Sequence, residues 1–286
     1  SDGMRLLDEL GAIRNVSKQS FNDITLSKTG QYLSKIPADP RLARMLLESS
    51  YYHCVKELLI IVSGLAVMDP RERPLDKKEA ADNFHSRFND DKSDFLSYIK
   101  LYEYLTSLQK ELSTSAFKKQ LKKEFISYLR VREWFDVYRQ LKATCKTLDF
   151  KINEVDSDYE SIHRAVLSGL LSQLGMLESS GDGYLGARGI KFVIFPGSKL
   201  AKKKPKWICA AELSETSRLF ARTVAVIDPQ WTEHVGEHLI KRKYAEPHWS
   251  KKAGAVQASL SLSLYGLPIV TARQVLYTDV DRKLCR

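Results

Sequence analysis

The sequence predicts an α+β multidomain chain: a small mixed unit, an all-helical middle and a small β-barrel. Three observations carry this. Apolar residues recur at helical spacing to about position 180 and then alternate at strand spacing. The 286 residues exceed what one ordinary core holds together. The net charge of +10 is also confined to the last third: residues 185–286 hold 18 Lys+Arg against 8 Asp+Glu, whereas residues 1–184 hold 27 of each.

In residues 1–52, Met4, Leu7, Leu10 and Ile13 share one helical face. Residues 22–26 suit a short strand and residues 28–35 a short helix, which Ile36-Pro37 stops. Asp39 is placed to cap the next helix, with Pro40 at its first position and Leu42, Met45 and Leu46 on its apolar face. Short helices with one small hairpin fit a winged-helix domain.

Residues 53–183 read as helical throughout. Residues 55–68 are apolar nearly all round, as in a buried central helix, and Asp69-Pro70 and Arg73-Pro74 end it. Ser93-Asp94 opens a helix carrying Phe95, Tyr98, Ile99, Tyr102 and Leu105. Leu121, Phe125, Tyr128, Phe135, Tyr138, Leu141, Cys145 and Leu148 mark one face of a single long helix. Its other positions mix Lys118, Lys119, Lys122, Lys123, Arg130, Arg132 and Arg139 with acids, a pattern that for most of them reads as a solvated face. Residues 162–177 read as a last apolar helix before the turn-rich residues 179–183.

Residues 184–286 change period. Residues 191–195 and 207–213 read as strands of an apolar hairpin, with a tight lysine-rich loop at its tip. Residues 218–226 and 256–264 alternate strictly, and Ile269 opens another short run. Several short strands in so few residues suggest a small barrel of the OB type, which binds single strands in a groove. Lys199, Lys202, Lys203, Lys204 and Lys206 are then placed to meet phosphates, and Arg218 and Arg222 to extend the track. Trp207 reads as barrel core, with base stacking as the alternative. One-sided basic charge of this kind points to nucleic acid or another polyanion.

Other chemistry is excluded. The longest apolar run, residues 58–68, is too short to span a bilayer, and residues 1–10 are amphipathic rather than a secretory signal. Cys54, Cys145, Cys209 and Cys285 form no CxxC pair, which suits free thiols in a reducing, cytoplasmic setting. No phosphate-binding GxxxxGK[ST] loop, GxGxxG turn or GxSxG elbow occurs. His234 and His238 are spaced i, i+4 but lack the third ligand and base of a zinc motif, so they read as surface histidines.

The ordered motifs resemble one family. LLDELGAI at residues 6–13 and LSKTGQYLSKIPADPRLARML at 26–46 resemble the winged-helix region of DEAH/RHA-type RNA helicases. RERP at 71–74, HSRFNDDKSDFL at 85–96 and FISYLRVREWFDVYRQL at 125–141 are similar to that family's helical ratchet, or helicase-associated, domain. IFPGSKLAKKKPKWICAAELSETSRLFARTVAVIDPQW at 194–231 is similar to its OB-fold, and the resemblance extends over essentially the whole chain. It implies a winged-helix domain at 1–52, a ratchet domain at 53–183, and at 184–286 an OB-fold with the start of a further C-terminal region.

The RecA-like domains, with their P-loop and DEAH box, have no counterpart here. The resemblance therefore implies an RNA-handling accessory piece without ATPase activity of its own, ATP and Mg2+ belonging to the missing core. Its implied partners are that core and single-stranded RNA, with DNA as a further substrate, in a tunnel used for 3'-5' translocation. By motif position, Ser93, Asp94, Arg130 and Arg132 are the ratchet-side contacts, and Ser198 and Lys199, with the lysines behind them, the OB-side contacts. The second reading is a platform that docks regulatory proteins, as the winged-helix and OB surfaces do in eukaryotic relatives.

Overall fold

The structure, a computed structural model, describes residues 2–14 and 24–277. Helix α1 (Asp2–Glu9) leads into strand β1 (Ile13–Arg14), which pairs antiparallel with β2 (Thr25–Leu26). Asn22 and Asp23 of the strand expected at 22–26 lie outside the described residues, as does Cys285. Ser27 starts α2 (Lys28–Leu33): its Oγ accepts from the Gly30 N–H at 3.0 Å and donates to the Gly11 carbonyl at 2.6 Å. A Cβ on Gly30 would stand 2.1 Å from the Ala12 carbonyl oxygen, so this approach of α2 to the β1 turn requires glycine.

Helix α3 (Pro40–Tyr51) begins as expected, with the Asp39 carboxylate accepting from the Arg41 N–H. Helix α4 (Val55–Leu65) is buried along most of its length and packs against α3 and the helices that follow. After the extended RERP segment come α5 (Lys78–His85) and α6 (Asp94–Glu111).

The single long helix expected beyond position 118 is two. Helix α7 (Thr114–Lys123) and helix α8 (Tyr128–Thr147) are separated by a break where Phe125 takes a φ of 56°. The apolar periodicity survives the break, but the backbone bonds go elsewhere. Glu72 N–H donates to Phe125 O at 2.7 Å, and Ser127 N–H donates to Pro70 O at 2.8 Å. The buried Glu124 carboxylate accepts from Tyr104, Gln120 and Arg87, which fixes the corner. Trp134 on α8 centres a separate aromatic core, its Nε1 donating to Ser63 Oγ at 2.9 Å.

The last apolar helix expected at 162–177 is also shorter. Helix α9 (Tyr159–Leu167) stops, and β3 (Leu174–Leu177) follows as a barrel strand, ahead of the boundary expected at 184. The apolar run reads continuously because both elements are buried, so periodicity could not separate them. Strands β4 (Tyr184–Gly186) and β5 (Lys191–Ile194), helix α10 (Leu200–Lys203), and strands β6 (Trp207–Glu215) and β7 (Leu219–Val226) complete the unit. The five strands close in the order β3-β4-β5-β7-β6, with β5 parallel to β7 and the other pairs antiparallel.

The expected hairpin between β5 and β6 does not form, because β7 lies between them and α10 spans the gap. Leu200 of α10 is fully buried in the barrel core with Tyr184, Phe192 and Ile208. A Cβ on Gly175 would stand 2.5 Å from the Phe192 ring, so that glycine makes room for the aromatic that fills the barrel.

Strands expected to extend the barrel instead form a second sheet. After α11 (Thr232–Val235), strands β8 (Lys241–Ser250), β9 (Ala255–Leu264) and β10 (Leu267–Leu276) form an antiparallel meander in the order β10-β9-β8. One hydrophobic core runs from Leu10 through α4 to Trp207 and on to Leu264 and Val270, so the helices, barrel and second sheet share it. Trp207 is core, as its sequence position suggested. The small N-terminal unit is tied in by Arg41, which donates to Glu9 at 2.8 Å and to the Gly169 carbonyl at 3.1 Å.

His163 sits inside this core. Its Nδ1 donates to the Tyr159 carbonyl at 2.7 Å, so the neutral ring's Nε2 accepts from Ser93 Oγ, also at 2.7 Å. Burial pushes the imidazole pKa from 6.5 down to about 4. As pH falls through this window the unfolded chain takes up a proton that the folded chain refuses, and stability drops. Thermal melts should show a loss on the order of 3 kcal/mol between pH 7 and pH 4. The His163→Gln variant should lack that part of the slope; parallel pH profiles for the two proteins would exclude it.

Candidate nucleic-acid interface

A cleft of about 1350 Å³ opens between the helices and the barrel. Its helical wall is the N-terminal end of α3, the segment after α4 carrying Asp69, Arg71 and Arg73, and the first turns of α6. Its barrel wall is the Phe195–Ser198 turn after β5, with Arg222 and Thr223 of β7.

Segment 92–94 hinges the walls together. Val226 N–H donates to Lys92 O at 2.8 Å, and Ser93 bridges to Ala225. The Asp94 carboxylate accepts from Val224 N–H at 2.9 Å and from Ser198 Oγ at 3.0 Å. Burial raises the Asp94 carboxyl above its ordinary range, outweighing these two donors. Thr223 beside it holds a φ of 52°, a costly geometry for a β-branched residue. The next residue along, Val224, is the one whose N–H meets Asp94.

The cleft is polar but internally neutralised. Arg71 chelates Asp69, with its terminal nitrogen 2.6 Å from Oδ2. Burial works to raise the Asp69 carboxyl, and the Arg71 charge overrides it, so the net shift is downward. Arg73 pairs with Asp82, and Arg41 with Glu9. Arg222 differs: its guanidinium lies 3.8 Å from the Phe195 ring centroid and donates to Ser214 Oγ at 2.9 Å, with no carboxylate partner among the described residues. A cation held over an aromatic ring at a cleft wall has the chemistry to pair with a phosphate or stack on a base.

Of the residues singled out in the sequence, Asp94, Ser198 and Arg222 line the cleft. Ser93 does not face it: the side chain is fully buried against His163, a correction to its reading as a strand contact. Arg130 donates to the Asp69 carbonyl at 3.1 Å and stabilises the segment behind the wall, while Arg132 is exposed on α8 away from the lining. The lysines also stand outside the lining. Lys199 and Lys203 face Asp91 at 3.6 and 3.3 Å, Lys204 donates to the Gly181 carbonyl, and Lys202 and Lys206 are exposed.

Arg218 is exposed in the turn before β7. Phe195 and Arg73 were missed as site residues, although both fall inside motifs that signalled the family. His234 stacks on Tyr51, whereas His238 bonds the Asp8 and Glu9 carbonyls, so their i, i+4 spacing builds no shared site. No group of three or more His, Cys, Asp or Glu among the described residues is arranged for a metal.

Asp94 offers a direct test of the hinge. Asparagine supplies one acceptor oxygen where the carboxylate supplies two, so either Val224 N–H or Ser198 Oγ loses its partner. Asp94→Asn should cost about 1–2 kcal/mol of stability, read as a lower urea midpoint at unchanged slope. An unshifted midpoint would show that the two donors find other acceptors.

Comparison with known proteins agrees with this architecture. Residues 39–98 match the helicase associated domain (HA2), ratchet-like, and residues 162–239 match the oligonucleotide/oligosaccharide-binding (OB)-fold. The chain is 50% identical over 285 residues to the ATP-dependent RNA helicase HrpA of Escherichia coli (strain K12), and 48% identical to its Haemophilus influenzae homolog. The match covers 100% of this chain and 22% of each of those proteins. Human ATP-dependent RNA helicase DHX33 is 26% identical over 237 residues, 83% of this chain and 32% of that protein. Across its whole length, the chain thus matches a region of the HrpA-type, DEAH-box RNA helicases that carries the ratchet-like and OB-fold modules.

Proposed function

We propose that this chain is the RNA-handling accessory region of an ATP-dependent DEAH-box helicase. A single RNA strand passes through the cleft between the ratchet-like helices and the barrel, and the RecA-like core closes the cleft into a tunnel for 3'-5' translocation. The observation that carries this reading is the Arg222 guanidinium stacked on Phe195 at the cleft wall, facing hydrogen-bonding groups on the helices. Similarity to a region of RNA helicases along the whole of this chain supports it. In this reading the small N-terminal unit is a winged-helix domain that joins the accessory region to the core.

ATP and Mg2+ act at the core. The chain has no phosphate-binding loop sequence, and no step within it passes through nucleotide. The accessory region contributes grip and direction. Its cations contact phosphates, which makes binding tolerant of sequence and sensitive to salt.

Fluorescence anisotropy with a short single-stranded RNA at several salt concentrations tests the proposal. The log–log slope should reflect a few phosphates at about −0.7 each. Arg222→Glu should weaken binding about tenfold, equivalent to about 1.4 kcal/mol. The triple change Lys202→Glu, Lys203→Glu, Lys204→Glu should do less, because Lys203 and Lys204 already have protein acceptors and all three lie outside the lining. Unchanged affinity in Arg222→Glu would remove the cleft from the RNA path.

A further inference from the structure

The sheet β8–β10 lies beyond both matched segments, the later of which ends at residue 239. Its charge is lopsided: between Lys241 and Leu276 there are six Lys or Arg and one acid, Glu246. Arg242 and Arg273 are occupied by Glu237 and Glu233. Lys241, Lys243, Lys251 and Lys252 are exposed and pair with no carboxylate among the described residues.

The register sorts the sheet into two faces. Directly paired residues in antiparallel strands share a face. Lys241 pairs with Ser263, Lys243 with Ser261, and His248 with Gln257 after a bulge. That face therefore presents Lys241, Lys243 and His248 beside a ladder of Ser259, Ser261 and Ser263. The opposite face carries Leu260, Leu262 and Leu264 into the shared core. Lys241 and Lys243 stand two residues apart on one strand, roughly 7 Å. At the hairpin tip Lys251 and Lys252 follow Trp249, which pairs with Val256 on the leucine-bearing side and keeps 62% of its surface exposed.

Lysines on an edge strand also discourage sheet-to-sheet pairing. That duty needs neither a hydroxyl ladder beside them nor an exposed tryptophan next to two more lysines at the tip. A row of cations and hydroxyl donors, with an exposed aromatic at the tip and a single acid at the bulge, complements a sugar–phosphate backbone.

We propose that the outer face and tip of this sheet form a second RNA contact, which holds the backbone of the strand outside the cleft. The contact rests on RNA binding by this chain but not on the path through the cleft, and two RNA lengths separate them. A strand of about 6 nucleotides falls within the site size of one OB fold, whereas one of about 20 nucleotides reaches beyond it.

The experiment is anisotropy across salt concentrations with both strands. The double variants are Lys241→Glu with Lys243→Glu, and Lys251→Glu with Lys252→Glu. Lys119→Glu with Lys123→Glu on α7 is the charge-matched control. Each sheet variant should weaken the long strand about tenfold and flatten its salt slope by about 1.4, two phosphates at 0.7 each. The short strand should bind as before, and the control should behave as wild type.

Lysine acetylation of the unmodified chain, read by mass spectrometry, should show residues 241, 243, 251 and 252 protected by the long strand alone. Unchanged long-strand affinity with unprotected lysines overturns the proposal, as does an equal loss in the control. A chain that binds neither strand overturns both this contact and the cleft. A chain that binds only the long strand, through these lysines, overturns the cleft and keeps the sheet.

Discussion

The hinge at segment 92–94 is the constraint on which the rest of the structure depends. A short extended stretch at the start of α6 donates no covalent crosslink, yet it joins helices and barrel through three kinds of bond. Lys92 supplies a backbone acceptor to β7, Asp94 supplies two carboxylate acceptors to the barrel, and Ser93 anchors the stretch inward on His163. Buried polar groups of this sort are costly unless every partner is present. Here they are present, at the expense of a strained Thr223 and a carboxyl displaced upward by burial. The cleft lies beside the edge at which this stretch ties the two walls together.

The electrostatics of the chain follow from where its charges are placed. The net excess belongs to the barrel and the second sheet, but the cleft itself is nearly balanced, since Arg41, Arg71 and Arg73 each hold a carboxylate. The cleft wall offers hydrogen-bonding groups and one arginine held over an aromatic ring rather than a deep positive trough. The strongly basic surfaces lie outside it, on the α10 lysines and on the second sheet.

The α7–α8 corner shows the same logic of satisfied backbone. Glu124 is buried with three donors around it, and the RERP segment takes the hydrogen bonds that a continuous helix would have made. That exchange holds Arg71 and Asp69 at the cleft wall. The motif is thus structural as much as it is functional: its arginine is spent on Asp69 and on the Tyr98 ring.

Much was determined by the sequence alone. The Asp39-Pro40 helix start, the buried α4, the alternation of β7 and the core position of Trp207 all follow from local rules of capping and periodicity, which need no knowledge of distant partners. The family was legible too, because its motifs occur in order along the chain. Tertiary structure decided what those rules cannot reach. Whether 118–148 is one helix or two depended on bonds from residues 70–72; whether 174–177 is helix or strand depended on β4 and β6. The fate of each candidate side chain depended on its neighbours: Ser93 turned inward to His163, Lys199 and Lys203 turned to Asp91, and Arg222 settled on Phe195. A one-dimensional pattern gives a residue's face, while the partner on that face comes from a segment a hundred residues away.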